Sequence, residues 1–154
     1  MEITTSKKRK VSLSTLISII FWILITLVYL LDQKPKDSIV FLNIGQGDAT
    51  LLQQGNTQIL IDGGPDRSIL YELPKYMPFF DRKIEYIVLT HPHDDHLVGL
   101  LYVLDNYEVG KIFYYPVCYT NPNYEMLISK GAKMKVISQG DTIRIGNINM
   151  NVIW

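Results

Sequence analysis

The chain has 154 residues and balances 15 Lys+Arg against 15 Asp+Glu, so no net charge marks it as a bulk polyanion binder. Its single cysteine, Cys118, excludes an internal disulfide. There is no internal repeat and no low-complexity tract.

Residues 1–10 end in Lys7-Lys8-Arg9-Lys10 and form a basic N-terminus. Residues 11–31, VSLSTLISIIFWILITLVYLL, are 21 consecutive uncharged residues. As a helix rising 1.5 Å per residue they span about 31 Å, the thickness of a bilayer core. Trp22 and Tyr29 suit a membrane helix. Lys34 and Lys36 follow it but are offset by Asp32 and Asp37. The positive-inside rule therefore puts the N-terminus in the cytoplasm and the later residues outside, in a single-pass arrangement. A cleaved signal peptide has a shorter apolar core and a small-residue cleavage site. This run ends in Tyr29-Leu30-Leu31-Asp32 with no A-x-A, which favours an uncleaved signal anchor embedded in lipid. Beside such a span, the basic cluster sets topology and touches anionic lipid rather than nucleic acid.

Residues 32–38 read as a short polar linker, and residues 39–154 as the extramembrane domain. Apolar alternation predicts strands over 39–44, 49–54 and 57–61, with Gly55-Asn56 as a hairpin turn. A short helix over 67–76, stopped by Pro78, precedes a strand over 84–89. A helix over 96–106, a strand over 111–115, a helix over 123–130 and a strand over 133–138 come next. A hairpin over 141–153 turns at Gly146-Asn147. Tyr114, Tyr115, Tyr119 and Tyr124 crowd a stretch with Pro116, Asn121 and Pro122, which reads as strand and loop surface in preference to a base-stacking loop.

All three histidines lie in Thr90-His91-Pro92-His93-Asp94-Asp95-His96-Leu97, the pattern H-x-H-x-D-H, directly after the apolar strand. That is the C-terminal end of a strand, where α/β folds collect their ligands. On an extended stretch, His91 and His93 point to one side and can share one divalent ion. A turn then lets Asp95 and His96 face a second. Two ions about 3.5–4 Å apart acidify a shared water and clamp a phosphoryl or carbonyl oxygen. Asp94 points to solvent or to a helix N-terminus, and either Asp94 or Asp95 could cap the following helix. Imidazole-rich donors make zinc the default, and the carboxylate makes manganese a second choice.

This motif resembles the second motif of the metallo-β-lactamase fold. Ile59-Leu60-Ile61-Asp62-Gly63-Gly64 resembles that fold's first motif, a strand ending in Asp and Gly. Phe41-Leu42-Asn43-Ile44-Gly45-Gln46-Gly47-Asp48-Ala49 is similar to the F-L-D-V-G-Q-G-D segment of the soluble domain of ComEC-type competence proteins, which sit in bacterial membranes and take up DNA. Asn43 departs from that pattern, which often has Asp there. The resemblance covers roughly residues 39–154. It implies an αββα sandwich, two metal ions on His91, His93, Asp95 and His96, and Asp62 beneath the site orienting it. Asp95 and Asp62 are thus the candidate catalytic carboxylates. Gly45, Gly47, Asp48 and Gly63 read foremost as turn residues, with support of the site as their alternative role.

In that fold, the second half supplies a further histidine and a bridging aspartate. No histidine follows His96, and Asp105 and Asp141 are the only later aspartates. The last run, residues 147–154, alternates as a strand. The expectation is therefore an N-terminal half, with one apolar sheet face open, whose site is completed by a C-terminal half or a partner. By resemblance, the complete enzyme hydrolyses phosphodiester bonds of DNA with metal-activated water. The alternatives are a hydrolase of small esters, lactams or thioesters, and a catalytically incomplete membrane-tethered remnant.

Overall fold

The computed structural model describes residues 11–31, 37–78, 81–130 and 133–153. The expected basic N-terminus 1–10 and most of the expected linker 32–38 lie outside the described residues. Two compact units divide the chain near Lys34 and Pro35.

The first unit contains one helix, α1 (Leu13–Leu31). Its Leu13–Leu30 stretch has a mean hydropathy of 2.4 and no buried residue. Thr26 Oγ1 donates to the Trp22 carbonyl at 2.8 Å, which spends the hydroxyl inside the helix. By length and composition this helix can cross a membrane, a property that N-terminal signal sequences share.

The second unit is built on a six-stranded sheet in the order β1 (Ser38–Phe41), β2 (Thr50–Gln54), β3 (Thr57–Ile61), β4 (Lys83–Leu89), β5 (Glu108–Tyr114), β6 (Met134–Val136). The first three strands pair antiparallel, and β3 to β6 run parallel. Gly55, at φ +54°, makes the tight β2–β3 turn that its sequence predicts. Each parallel step needs a crossover. Those crossovers carry α2 (Ile69–Glu72), α3 (Asp94–Asn106) and α4 (Pro122–Ser129).

Period-two alternation sorts the strand side chains onto two faces. On one face Leu51, Leu60, Ile87 and Ile112 pack with Leu97, Leu100, Val103 and Leu127 of the helices. On the other, Ile59 and Phe113 meet the two-stranded hairpin β7 (Thr142–Ile145) and β8 (Ile148–Asn151) through Ile143 and Ile145. Helices, sheet and hairpin are thus the first α, β and β layers of the expected order. At the β1 edge the hairpin face is open, with Ile39 68% and Phe41 82% exposed.

Several element boundaries differ from the sequence reading: the strand expected over 39–44 is Ser38–Phe41, the strand expected over 133–138 is Met134–Val136, and three further differences have a readable cause. The helix expected over 67–76 is one α-turn followed by a 3-10 turn, Leu73–Lys75, because Pro74 cannot donate to a continuing α-helix. Helix α3 starts at Asp94, two residues early, since His93 takes an extended conformation and caps it. Strand β5 begins at Glu108 rather than 111, running through Gly110, where a Cβ would stand 2.3 Å from the Glu85 carbonyl oxygen.

Candidate metal centre

The site forms where β4 hands over to α3. Strand β4 ends at Leu89, residues 90–93 form the loop, and the Asp94 and Asp95 carboxylates occupy the first turn of α3. The helix dipole favours negative charge there. The His93 carbonyl accepts the His96 and Leu97 N–H groups, both at 3.0 Å, which fixes the turn and brings His96 back over the end of β4. No side chain caps this helix. Asp94 instead accepts Nδ2–H bonds from Asn121 at 2.9 Å and Asn123 at 3.1 Å, tying the metal loop to the start of α4.

Asp62 sits directly beneath. Its N–H donates to the Val88 carbonyl at 2.9 Å, so it stands at the end of β3 beside β4. Its φ of +57° is left-handed, the only such value at a non-glycine residue among the described ones. Aspartate tolerates this region better than most residues, at a cost of about 1 kcal/mol or more. What the backbone gains is the aim of the carboxylate. Oδ1 accepts the Thr90 N–H at 2.9 Å, and Oδ2 accepts the Thr90 hydroxyl at 2.6 Å and meets His96 Nδ1 at 2.9 Å. Burial pushes the Asp62 carboxyl above its ordinary range, while the bonds from Thr90 and His96 pull the other way.

This network sets the histidine tautomers. A carboxylate only accepts, so His96 Nδ1 carries the proton and Nε2 presents its lone pair outward. Thr90 Oγ1 gives its hydrogen to Asp62 and takes one from His91 Nδ1 at 3.1 Å, which leaves His91 Nε2 free in the same way. Burial, and then the neighbouring His96, hold His91 below its ordinary pKa, so it stays neutral near pH 7.

One ligand atom from each of His91, Asp95 and His96 lies within 4.8 Å of the others. The His91 ring is 3.8 Å from that of His96, centroid to centroid, and 4.8 Å from that of His93. The tightest group is therefore His91, Asp95 and His96, with His93 edge-on beside His91 and exposed, 5.8 Å from the Tyr119 ring. Neutral imidazole nitrogens and a carboxylate oxygen at these separations suit a divalent cation. Beside them opens a cleft of about 510 Å³ lined by Thr90, His91, Pro92, Tyr115, Val117, Ser138 and Gln139.

The two glycine motifs brace this arrangement. Gly45 and Gly47, at φ +80° and +108°, turn the chain between β1 and β2. A Cβ on Gly47 would lie 2.1 Å from the Asp95 carbonyl oxygen. Gly63 N–H donates to the His96 carbonyl at 2.7 Å, and Gly99 N–H to the Gly64 carbonyl at 2.8 Å. Thr90, Gly99 and Asn121 escaped the sequence reading as site residues. Thr90 directly precedes the motif and was readable; Gly99 and Asn121 act through backbone approach and capping, which no spacing rule reveals.

A family model described as the metallo-beta-lactamase superfamily matches residues 42–142. Endoribonuclease ysh-1 of Neurospora crassa is 27% identical over 128 residues, covering 76% of this chain and 13% of that protein. Among solved structures, MEM-A1, a subclass B3 metallo-beta-lactamase from a soil metagenome, superposes with a TM-score of 0.54 at 18% identity, over 75% of this chain and 48% of that one. The metallo-beta-lactamase SMB-1 gives 0.53 at 18%, over 75% and 49%. The fold protein YhfI of Bacillus subtilis gives 0.50 at 19%, over 75% and 52%. The chain spans about half the length of these solved structures. At such identities the structures speak for the fold, and the family match covers about two thirds of the chain: it belongs to the metallo-β-lactamase superfamily.

Proposed function

We propose that this is the N-terminal part of a membrane-anchored, metal-dependent phosphodiesterase of the ComEC-like group, acting on DNA outside the cytoplasmic membrane. The observation that carries the metal-dependent reading is the convergence of His91, Asp95 and His96 over the buried Asp62. The phosphodiester reading draws on the F-L-N-I-G-Q-G-D segment and on a relative named as an endoribonuclease. The placement in the membrane draws on α1 and the basic residues before it.

The chemistry that bound divalent cations, zinc or manganese, supply here is Lewis acidity, which acidifies water and offsets charge on phosphoryl oxygens. His91 and His93, then Asp95 and His96, are the residues to hold them. Asp62 and Thr90 keep the imidazole lone pairs aimed outward before any ligand arrives, so no change of tautomer is needed on binding. Tyr115 and Val117 give the cleft an aromatic and apolar wall beside His91, suited to a base flanking the reacting phosphate. Four donors do not fill two tetrahedral shells, so the reading requires further ligands from outside the described residues, whether from the same protein or a partner.

A second reading, hydrolysis of a lactam, thioester or small ester, takes support from the lactamase structures that share the fold. Incubating the complete protein, detergent-solubilised and with every ligand-bearing segment or partner present, with DNA and with a chromogenic lactam, in zinc and in manganese, separates the two. The proposal expects metal-dependent DNA cleavage, lost on chelation. His91→Ala should lower it by more than about 100-fold, the upper end for loss of a mere outer-shell partner. DNA left intact under every metal condition contradicts the phosphodiester reading. Lactam turnover with DNA intact replaces it by the second.

A further inference from the structure

We propose that Asp48 is a further metal ligand, offering a carboxylate oxygen to the cation that Asp95 and His96 hold. The inference rests on the metallohydrolase reading above and adds a donor from outside the H-x-H-x-D-H motif.

His96 is 7% exposed. Its Nδ1 is committed to Asp62, and its Nε2 has no hydrogen-bond partner among the described residues. That nitrogen faces two carboxylates at once, Asp95 Oδ2 at 3.7 Å and Asp48 Oδ2 at 3.9 Å. Both are beyond hydrogen-bonding distance. Donors sharing one tetrahedral zinc at 2.0–2.2 Å stand roughly 3.4 Å apart, so the two distances to Nε2 need to shorten by no more than about half an ångström.

The backbone seats Asp48 on this spot. Its N–H donates to the Asp95 carbonyl at 3.3 Å, and Gly47 before it packs so tightly on that carbonyl that no side chain fits. A turn serving only to reverse the chain needs no such contact with a ligand residue. The Asp48 side chain is 79% exposed, and the one basic side chain within ion-pair distance of it among the described residues is His96. Asp48, Asp62 and Asp95 therefore surround one imidazole, and among the described residues no lysine or arginine lies within ion-pair distance of them. A divalent cation supplies the missing charge.

The test titrates the complete protein, metal-free and detergent-solubilised, with Mn²⁺ and with Zn²⁺ by calorimetry, comparing wild type, Asp48→Asn and Asp95→Asn. Electron paramagnetic resonance of bound Mn²⁺ adds a view of the ligand field. The exposed position of Asp48 keeps the thermal midpoint of the metal-free variant at the wild-type value. Asp48→Asn is expected to lose at least about 10-fold in affinity for one equivalent, the lower end for loss of an outer-shell partner, and to change the Mn²⁺ spectrum. The loss should be larger for Mn²⁺ than for Zn²⁺, because the harder ion depends more on carboxylate. Wild-type affinity and spectrum in Asp48→Asn, with Asp95→Asn impaired, overturns the Asp48 assignment alone. A wild-type protein that binds neither metal overturns the metallohydrolase reading and this inference together.

Discussion

Asp62→Ala is expected to destabilise the metal-free protein by about 3 kcal/mol and to weaken metal binding by about 10–100-fold. One carboxylate holds the Thr90 amide, the Thr90 hydroxyl and His96 Nδ1. Its removal leaves several donors unpaired in a region where Asp62 is 3% exposed. Each stranded group costs about 1–3 kcal/mol, partly relieved by local relaxation. Asp62→Asn separates the two effects. Asparagine tolerates the left-handed backbone and still accepts the Thr90 amide, so most of the stability returns. Its NH₂ group then faces His96 and donates to Nδ1, moving the imidazole proton to Nε2, where it blocks the lone pair a metal needs. Urea unfolding and metal titration on both variants check this. Asp62→Asn binding metal as tightly as wild type would refute the assigned tautomer.

Gly99→Ala is expected to cost about 3 kcal/mol or more, although Gly→Ala inside a helix ordinarily gains up to about 1 kcal/mol. A Cβ at 99 would stand 1.8 Å from the Gly63 oxygen, and one at 63 would stand 2.5 Å from the Leu100 nitrogen. Both obstacles are backbone atoms, which cannot swing aside as a side chain can. Helix α3 therefore has to move off the end of β3, carrying His96 away from Asp62. Loss of stability should come with loss of metal affinity. A Gly99→Ala protein as stable as wild type by denaturant titration would show that the two backbones are not in contact.

Much of this was readable in the chain. Strand β3 and the turn at Gly55 follow from apolar alternation ending at Gly-Asn, and the structure places the strand at Thr57–Ile61 as expected. The hairpin turn at Gly146 has the same cause. The three-histidine spacing after a buried strand located the metal-capable group, because the chemistry lies in the residue types themselves. What stayed hidden depends on approach between distant segments. The extra residues of β5 run through Gly110, which reads as a breaker in sequence but permits close pairing with Glu85. The link from Asp94 to Asn121 spans 27 residues and is set by how α3 and α4 dock. The closeness of Asp48 to His96, 48 residues away, arises only once the β1–β2 turn folds onto the metal loop.

The Asp62 network is arranged to present His91, Asp95 and His96 to a divalent cation. Anomalous diffraction at the zinc edge, from crystals of the detergent-solubilised protein grown with zinc, tests it most directly. A peak is expected about 2.0–2.2 Å from His96 Nε2 and an Asp95 oxygen, with His91 Nε2 bound to that ion or to a second beside it. Peaks only elsewhere on the protein, with His96 Nε2 left unligated, would contradict it.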